Sequence, residues 1–303
     1  MTLSSDQIID RRRLRRKLGF WRLAAVVFLL LLVVVLAGRL AGGTGPHIAL
    51  LHLDTTIFED ERWDKALDAL ARNDSAKAVI IDINSPGGTT VGSEKIYKGL
   101  RKIAAKKPVV AVIESLGASG GYIAALGADR IIAHETSLTG SIGVIMQSAE
   151  VSGLLGKIGV TVTDIKSSPL KAEPSQTAPM TDEVHQYLQQ LIDDAYQWFI
   201  GIVAERRGMA PDDVKKVADG RVFTGRQALQ LGLVDALGGE DDARSWLASE
   251  RGVAADLPLV DATPGDKLGV VDRLFSSAAS AVIGKALIPE RLRLDGLVSL
   301  WHP

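Results

Sequence analysis

Val109 to Ala125 reads VVAVIESLGASGGYIAA, and its reading decides the fold. Val109–Ile113 is a short apolar, β-branched run of the kind that forms a buried strand. Gly117-Ala118-Ser119-Gly120-Gly121 then makes a tight turn, and Tyr122 to Gly127 continues as a helix. A strand that ends in a Gly-rich turn and feeds a helix is the unit of a parallel α/β sheet. The same rhythm extends in both directions. Ile48–Leu53, Ala78–Ile83, Arg130–Ala133 and Val160–Ile165 are further strand candidates bounded by Gly, Pro, Asn or Asp. Ile96, Leu100 and Ile103 fall on one face of a helix between the second and third strands. Thr181 to Arg207 is the longest helical stretch: Val184, Leu188, Leu191, Ala195, Phe199 and Ile202 keep a three-to-four spacing, with Thr181 as N-cap and Gly208 just past the end. Packing accounts for that helix. From about Gly252 the pattern weakens; Leu268 to Ile288 reads as one or two amphipathic helices, and the last fifteen residues are irregular.

Composition narrows the function classes. The chain of 303 residues has no cysteine, which excludes disulfides, Cys-ligated zinc, iron–sulfur clusters and a thiol nucleophile. Lys plus Arg is 35 against 36 for Asp plus Glu, unlike the basic surface of a nucleic-acid binder. That balance is uneven along the chain. Seven basic residues (Arg11, Arg12, Arg13, Arg15, Arg16, Lys17 and Arg22) face only Asp6 and Asp10 in residues 1–22, a net charge of +5 that leaves −6 for the remainder. Directly after it, Leu23 to Gly38 carries no charge, and Trp21 to Leu40 is twenty residues long, enough for a bilayer core of ~30 Å. Basic residues before the run place the N-terminus in the cytoplasm and everything after Gly42 outside. A cleaved signal peptide has the same charge order, but ending it at Ala41 would put Arg39 at the −3 position. The sequence thus divides into a basic N-terminus (1–20), a transmembrane helix (21–40), a linker (41–46), an α/β domain (47–250) and a C-terminal extension (251–303).

Ligand sites in open α/β sheets lie beyond the C-terminal ends of strands, which directs attention to the Gly-rich turns. Asn84-Ser85-Pro86-Gly87-Gly88 follows the second strand, and its backbone N–H groups suit an oxyanion or serve merely to turn the chain. No Gly-Lys-Ser/Thr follows, so it is not a phosphate loop. Gly117–Gly121 matches G-x-S-x-G, a serine held at a helix N-terminus. A serine hydroxyl needs a base. Of the five histidines only His134, at a strand end, is placed for that role. Lysine is the other choice: Lys166 and Lys171 flank Ser167-Ser168-Pro169-Leu170, and Ser168 with Lys171 spells S-x-x-K. A lysine becomes a base near neutral pH only where desolvation brings its pKa from ~10.4 toward ~7–8. The small Ala118 and Ala124 suggest room beside Ser119 for an apolar substrate residue.

Taken in order, NSPGG (Asn84–Gly88), GASGGYIAA (Gly117–Ala125), LTGSIGV (Leu138–Val144), IKSSPLK (Ile165–Lys171) and DGRVFTGRQALQLGLVDALG (Asp219–Gly238) resemble the signal peptide peptidase A family, peptidase family S49, in its short, single-repeat bacterial form. The resemblance covers residues 47–250 and the anchor. It implies a ClpP/crotonase-like α/β fold, a spiral of ββα units, preceded by one N-terminal transmembrane helix. It implies a serine endopeptidase with Ser119 as nucleophile and Lys171 as general base, with Ser141 orienting the lysine and Gly88 and Gly120 forming the oxyanion hole. Remnant signal peptides and other apolar peptides are the implied substrates, cleaved on the extracytoplasmic side of the bacterial inner membrane. The implied assembly is a ring-shaped homo-oligomer on the lipid bilayer, whose active sites are shared between protomers. No metal or organic cofactor and no nucleic acid are implied. In this family an acidic residue commonly follows the base lysine; here Ala172 does, and Glu173 comes one later. Three other readings compete. A crotonase-like acyl-CoA enzyme would need a buried carboxylate such as Glu94 or Glu114, and a membrane scaffold would use no chemistry at all. A Ser-Asp-His hydrolase would need His302 from the irregular tail.

Overall fold

The computed structural model describes residues 17–32, 45–265 and 298–300. The chain divides into two compact units, Met1–Pro46 and His47–Pro303. In the first, residues 17–32 are helical and their apolar side chains are exposed. Among the described residues no helix is long and apolar enough to cross a membrane. Residues 33–40 of the expected span, like the C-terminal helices expected over 268–288 and His302, lie outside the described residues.

The second unit is a mixed α/β domain. In chain order it runs β1 (His47–Leu53), α1 (Glu61–Arg72), β2 (Ala76–Ser85), β3 (Gly87–Thr89), α2 (Thr90–Ala104), β4 (Val109–Ala118), α3 (Gly120–Ala125), β5 (Arg130–Ala133) and β6 (Leu138–Gly140). Then come α4 (Ser152–Lys157), α5 (Asp182–Arg207), α6 (Pro211–Lys215), β7 (Val222–Thr224), α7 (Gly225–Gln230), β8 (Ala236–Leu237), α8 (Glu240–Arg251), β9 (Leu259–Asp261) and β10 (Val298–Leu300). Among the described residues the main sheet has eight strands. β9, β1, β2 and β4 lie side by side and parallel, as α1 and α2 crossovers require.

At β4 the sheet forks. The first half of β4 pairs with β5 (Val110↔Arg130 to Ile113↔Ala133), and its last residues pair with β6 (Leu116↔Leu138 to Ala118↔Gly140). Ser85 of β2 stands opposite Gly117. The ends of β2, β4 and β6 are therefore adjacent, each followed by one of the Gly/Ser turns seen in the sequence. One face of the sheet packs Ala49, Leu51, Val79, Ile81, Ala111 and Ile113 against α2, α3 and α5. The other packs Ile48, Ile80, Val110 and Ile132 against Ala243 and Leu247 of α8. Burial on both faces explains why these strands read as continuous apolar runs rather than alternating ones.

One expected strand is absent. Val160 to Ile165 is irregular and exposed, with Ile165 99% accessible. Its β-branched residues satisfy the local pattern, but among the described residues no strand pairs with them. The long helix forms as expected. Thr181 Oγ1 accepts from the Val184 N–H, and Gly208 closes the helix in the left-handed region at φ 62°.

Candidate active site

Ser119 sits at the junction of β4 and α3 with φ 55° and ψ −116°, buried to 1% exposure. A left-handed conformation costs a non-glycine residue roughly 1–2 kcal/mol. Here a backbone bond holds it: the Ser119 N–H donates to the Gly140 carbonyl at 2.8 Å, so the end of β6 fixes the turn. The next residue of β6's exit, Ser141, is also left-handed (φ 51°), and its N–H donates to Arg221 O at 2.8 Å. Among the described residues only three non-glycines have positive φ: Ser119, Ser141 and Ala172. The first two are neighbours at one cleft, and the third adjoins Lys171.

The second Gly-rich segment reaches the same place. A methyl on Gly120 would stand 3.1 Å from the Gly88 nitrogen and 2.3 Å from Ser93 Oγ. Gly120 thus presses directly on β3, with no room for a side chain. Gly88 is as tightly confined from the other side, where a Cβ would lie 1.9 Å from Ile57 O. The Ile57 N–H donates to Gly87 O (2.8 Å) and the Thr89 N–H to Ile57 O (2.9 Å). Along an extended strand successive residues face opposite edges, so the N–H and C=O of Gly88 face away from Ile57. Thr89 fixes the start of α2 by accepting from the Gly92 N–H, and its hydroxyl donates to Glu59 Oε1 at 2.6 Å. The segment expected as a plain turn is thus a short strand with two neighbours.

A cleft of about 530 Å³ opens beside Ser119 and Ser141. Ile142, Val144 and Ile145 line it, with Ile192 and Tyr196 of α5 opposite. Ala118 and Ala124 are fully buried and do not line it, so the apolar lining comes from β6's exit and α5 instead. The role given to α5 as a packing helix alone is corrected by this. Gln189, Ile192, Asp193 and Tyr196 form a second stripe at helical spacing, beside the stripe of Val184, Leu188 and Phe199 that faces the core. The sequence carried that signal in its second periodic face.

The structure treats the candidate bases differently. His134 leaves β5 and pairs with Glu114 at 3.3 Å; it does not line the Ser119 cleft. Glu114 and Glu94 are partly exposed, and Glu94 pairs with Lys98 one turn on. Neither is the buried carboxylate that a crotonase-type base requires. Lys166 bonds Glu173 at 2.6 Å and lies 3.6 Å from Asp164. The hydrogen bond to Glu173 raises the Lys166 pKa, the wrong direction for a base. Lys171 is exposed, its N–H bonded to Ser168 O at 3.1 Å, and it is not among the residues lining the cleft. A single chain therefore assembles Ser119, Ser141, Gly88 and Gly120 but leaves Lys171 outside.

The family model for peptidase family S49 matches residues 101–254, half of the chain, from the end of α2 through α8. The chain belongs to peptidase family S49. A candidate protease from Synechocystis is 45% identical over 197 residues, covering 65% of this chain and 71% of that protein. A candidate signal peptide peptidase SppA from Enterococcus faecium is 38% identical over 206 residues, 65% of this chain and 59% of that one. A ClpP1 mutant from Listeria monocytogenes overlays with a TM-score of 0.43 at 18% identity, over 64% of this chain and 92% of that one. An S49 peptidase is a serine peptidase, the class its relatives' names carry. The S49 match spans Ser119, Ser141 and Lys171, whereas Gly88 precedes it.

At the rim of the opposite sheet face, this S49 domain carries a second polar group. Asp82 is 8% exposed, its Oδ2 is 3.4 Å from His52 Nδ1, and its Oδ1 has no hydrogen-bond partner among the described residues. Burial pushes its pKa up to about 6; nearby Glu114, Glu240 and Asp54 add to the rise, and His52 opposes it. A carboxyl whose folded pKa exceeds its unfolded value stabilises the fold below the unfolded pKa and loses that contribution as pH rises through about 6. Asp82→Asn is therefore expected to be more stable than wild type at pH 7, by on the order of 2–3 kcal/mol. The gain should vanish near pH 4. Urea unfolding at the two pH values measures it, and an equal gain at both would mean that ionisation of Asp82 is not the cause.

Proposed function

We propose that the protein is a membrane-anchored endopeptidase that cleaves apolar peptides through a Ser119/Lys171 dyad. The Ser119 hydroxyl attacks the peptide carbonyl while neutral Lys171 takes its proton. The tetrahedral oxyanion lies between the N–H groups of Gly88 and Gly120, each donor of this kind contributing ~3 kcal/mol to the barrier reduction. Lys171 then protonates the leaving amine and activates the water that hydrolyses the acyl-enzyme. Ser141, one residue beyond the carbonyl that fixes Ser119, orients the lysine amine.

The observation that carries this reading is that Ser119 and Ser141 share one partly apolar cleft while Gly120, the next residue after Ser119, packs directly against Gly88. Ser119 at a strand-to-helix turn, held in a left-handed conformation, has the form of an activated nucleophile's mount. Ile142, Val144, Ile145 and Ile192 favour apolar side chains in the substrate, as signal peptides supply. The name of the Enterococcus relative points to the same substrate class.

Lys171 reaches Ser119 from a neighbouring chain. The segment that carries it exposes Val151, Leu154, Ile158, Val160, Val162 and Ile165, more contiguous apolar chain than a monomer leaves in water. A ring of ClpP/crotonase-like protomers would cover that segment and deliver its lysine to the next cleft. Residues 21–40 anchor the ring, with the N-terminus cytoplasmic and the peptidase domain on the extracytoplasmic side of the bacterial inner membrane.

Hydrolysis of apolar chromogenic peptides by the detergent-solubilised protein tests the assignment. Wild type is expected to cleave and to take up a fluorophosphonate on Ser119, insensitive to chelator; Ser119→Ala is expected to do neither. Cleavage that survives Ser119→Ala would sink it.

A further inference from the structure

The end of the main sheet opposite the active site is basic. β1, β2, β4 and β5 are parallel, so their first residues share one end, and α1, α2 and α8 deliver their C-termini to it. The other end is acidic, with Glu61 and Asp64 in the first turn of α1 and Glu240, Asp241 and Asp242 in that of α8. At the strand starts stand Lys77, Lys106, Lys107, Arg130 and Arg251. Backbone carbonyls hold the three lysines: Lys77 Nζ donates to Asp74 O at 2.9 Å, Lys106 Nζ to Ala71 O at 3.2 Å, and Lys107 Nζ to Leu70 O at 3.0 Å and Asn73 O at 2.5 Å. The Arg130 and Arg251 guanidinium carbons lie 5.4 and 5.0 Å from the centre of the Trp246 ring, and Arg130 Nε is buried with no hydrogen-bond partner among the described residues. Carbonyls and a ring position these cations without neutralising them. The chain after residue 22 carries a net charge of −6, so composition alone does not produce a basic end.

A depression of about 280 Å³ opens at this end, and Ala105, Lys106, Lys107, Arg251 and Asp129 are in its lining. Asp129 is already engaged: its Oδ1 accepts from Arg101 at 3.1 Å and its Oδ2 from the Val109 N–H at 3.0 Å. Burial pulls the Lys107 pKa down, Asp74 opposes the fall, and the charges of Lys106 and Lys77 add to it. An anion seated in the depression relieves that crowding of positive charge. Connectivity says which anion is at hand. β1 starts at this end with His47, and six residues, 41–46, separate it from the expected span. At ~3.6 Å per residue they reach roughly 20 Å. On the anchored reading, the basic end is the one tethered next to the lipid.

We propose that this basic end is a docking surface for anionic phospholipid headgroups, with a headgroup phosphate seated between Lys106, Lys107 and Arg251. The proposal rests on the anchored reading for its placement beside the bilayer. Each Lys or Arg brought near an anionic membrane surface favours association by about 5-fold. The same surface repels the acidic end, so both charges favour one orientation. Docking on the strand starts turns the strand ends, and with them Ser119, away from the lipid. Lipid composition then governs how the peptidase domain stands and leaves the reacting groups unchanged.

The chain has no cysteine, so Ala105→Cys and, at the acidic end, Asp241→Cys each give a single site for a dye. The full chain is placed in nanodiscs whose lipids carry headgroup quenchers, either phosphatidylcholine alone or with phosphatidylglycerol added. The dye at 105 should be quenched about 2-fold more strongly in the anionic discs, and the dye at 241 equally in both. The difference should vanish in about 1 M salt, where the Debye length is ~3 Å. It should also vanish when Lys106→Glu and Arg251→Glu are combined, a variant expected to hydrolyse peptide in detergent at the wild-type rate. A difference that survives this variant overturns the assignment of the site. Flotation separates docking from anchoring. If the chain floats with neutral vesicles it is anchored, and equal quenching at 105 in the two discs then overturns docking alone. If it floats only with anionic vesicles, and not at all once both charges are reversed, it docks without an anchor. Flotation with neither kind overturns both.

Discussion

A one-to-one mixture of Ser119→Ala and Lys171→Ala chains, dissociated and reassembled together, is expected to hydrolyse peptide although neither variant does alone. Each variant by itself should lose activity by about 10⁴-fold or more, because nucleophile and base act as a unit and removal of either removes the whole. The mixture is different because of where the two groups stand. Ser119 lies in a cleft whose lining includes Ser141, Ile142 and α5 but not Lys171. Lys171 is exposed, on a segment whose apolar residues are exposed too. If each site takes its serine from one protomer and its lysine from the next, random mixing makes intact sites at about one interface in four. About a quarter of wild-type activity is the expected ceiling. If both groups came from one chain, no mixture could contain an intact site, and activity would stay at the level of the separate variants. Chemical crosslinking of the mixture verifies that mixed assemblies formed, so an inactive but mixed assembly decides against shared sites.

The main parts of this site were legible because each is local. A strand, a glycine that no side chain can replace, and a serine in a left-handed turn all leave marks within a few residues. NSPGG and GASGG stand out as Gly-rich turns after strands, whereas LTGSIGV takes its meaning from the resemblance, in which the motifs count by their order. What no local pattern could give is that β4 forks, pairing with β5 along its first half and β6 at its end, so that Gly140 holds Ser119. Fork and register are long-range choices. The same limit explains Val160–Ile165. Its residues favour a strand, but a strand needs an edge to pair with, and among the described residues no strand pairs with it. The choice between Lys166 and Lys171 shows a third kind of limit. Both flank Ser167-Ser168-Pro169-Leu170, and it is the contact of Lys166 with Glu173 that marks it as a held charge. α5 was read through its core stripe; that its second stripe walls a cleft depends on what lies opposite.

Gly120→Ala should cost about 10²- to 10³-fold in kcat, the cost of losing one oxyanion donor, and the geometry allows this to be separated from a loss of folding. The added methyl would meet Ser93 Oγ at 2.3 Å and would stand 3.1 Å from both the Gly88 nitrogen and the Gly87 Cα. Ser93 Oγ is held in place, donating to Thr89 O at 2.9 Å. The first contact therefore strains the packing of α2 against α3, and the second fills the space where the oxyanion is to lie. Removing the hydroxyl relieves only the first. Ser93→Ala combined with Gly120→Ala is expected to recover most of the thermal stability lost in Gly120→Ala, while kcat stays low, because the methyl still crowds the Gly88 N–H. Gly88→Ala makes a harsher comparison. Its Cβ meets a backbone carbonyl, Ile57 O, at 1.9 Å, and a carbonyl that accepts from the Thr89 N–H, on a residue whose own N–H donates to Gly87 O, cannot swing aside as a side chain can. That variant should lose stability and activity together, with no rescue by Ser93→Ala. Melting temperature and single-turnover acylation on the three proteins separate the effects. Recovery of both properties in the double variant would mean that Gly120 is required for packing alone, and the oxyanion would then have to be held by other donors.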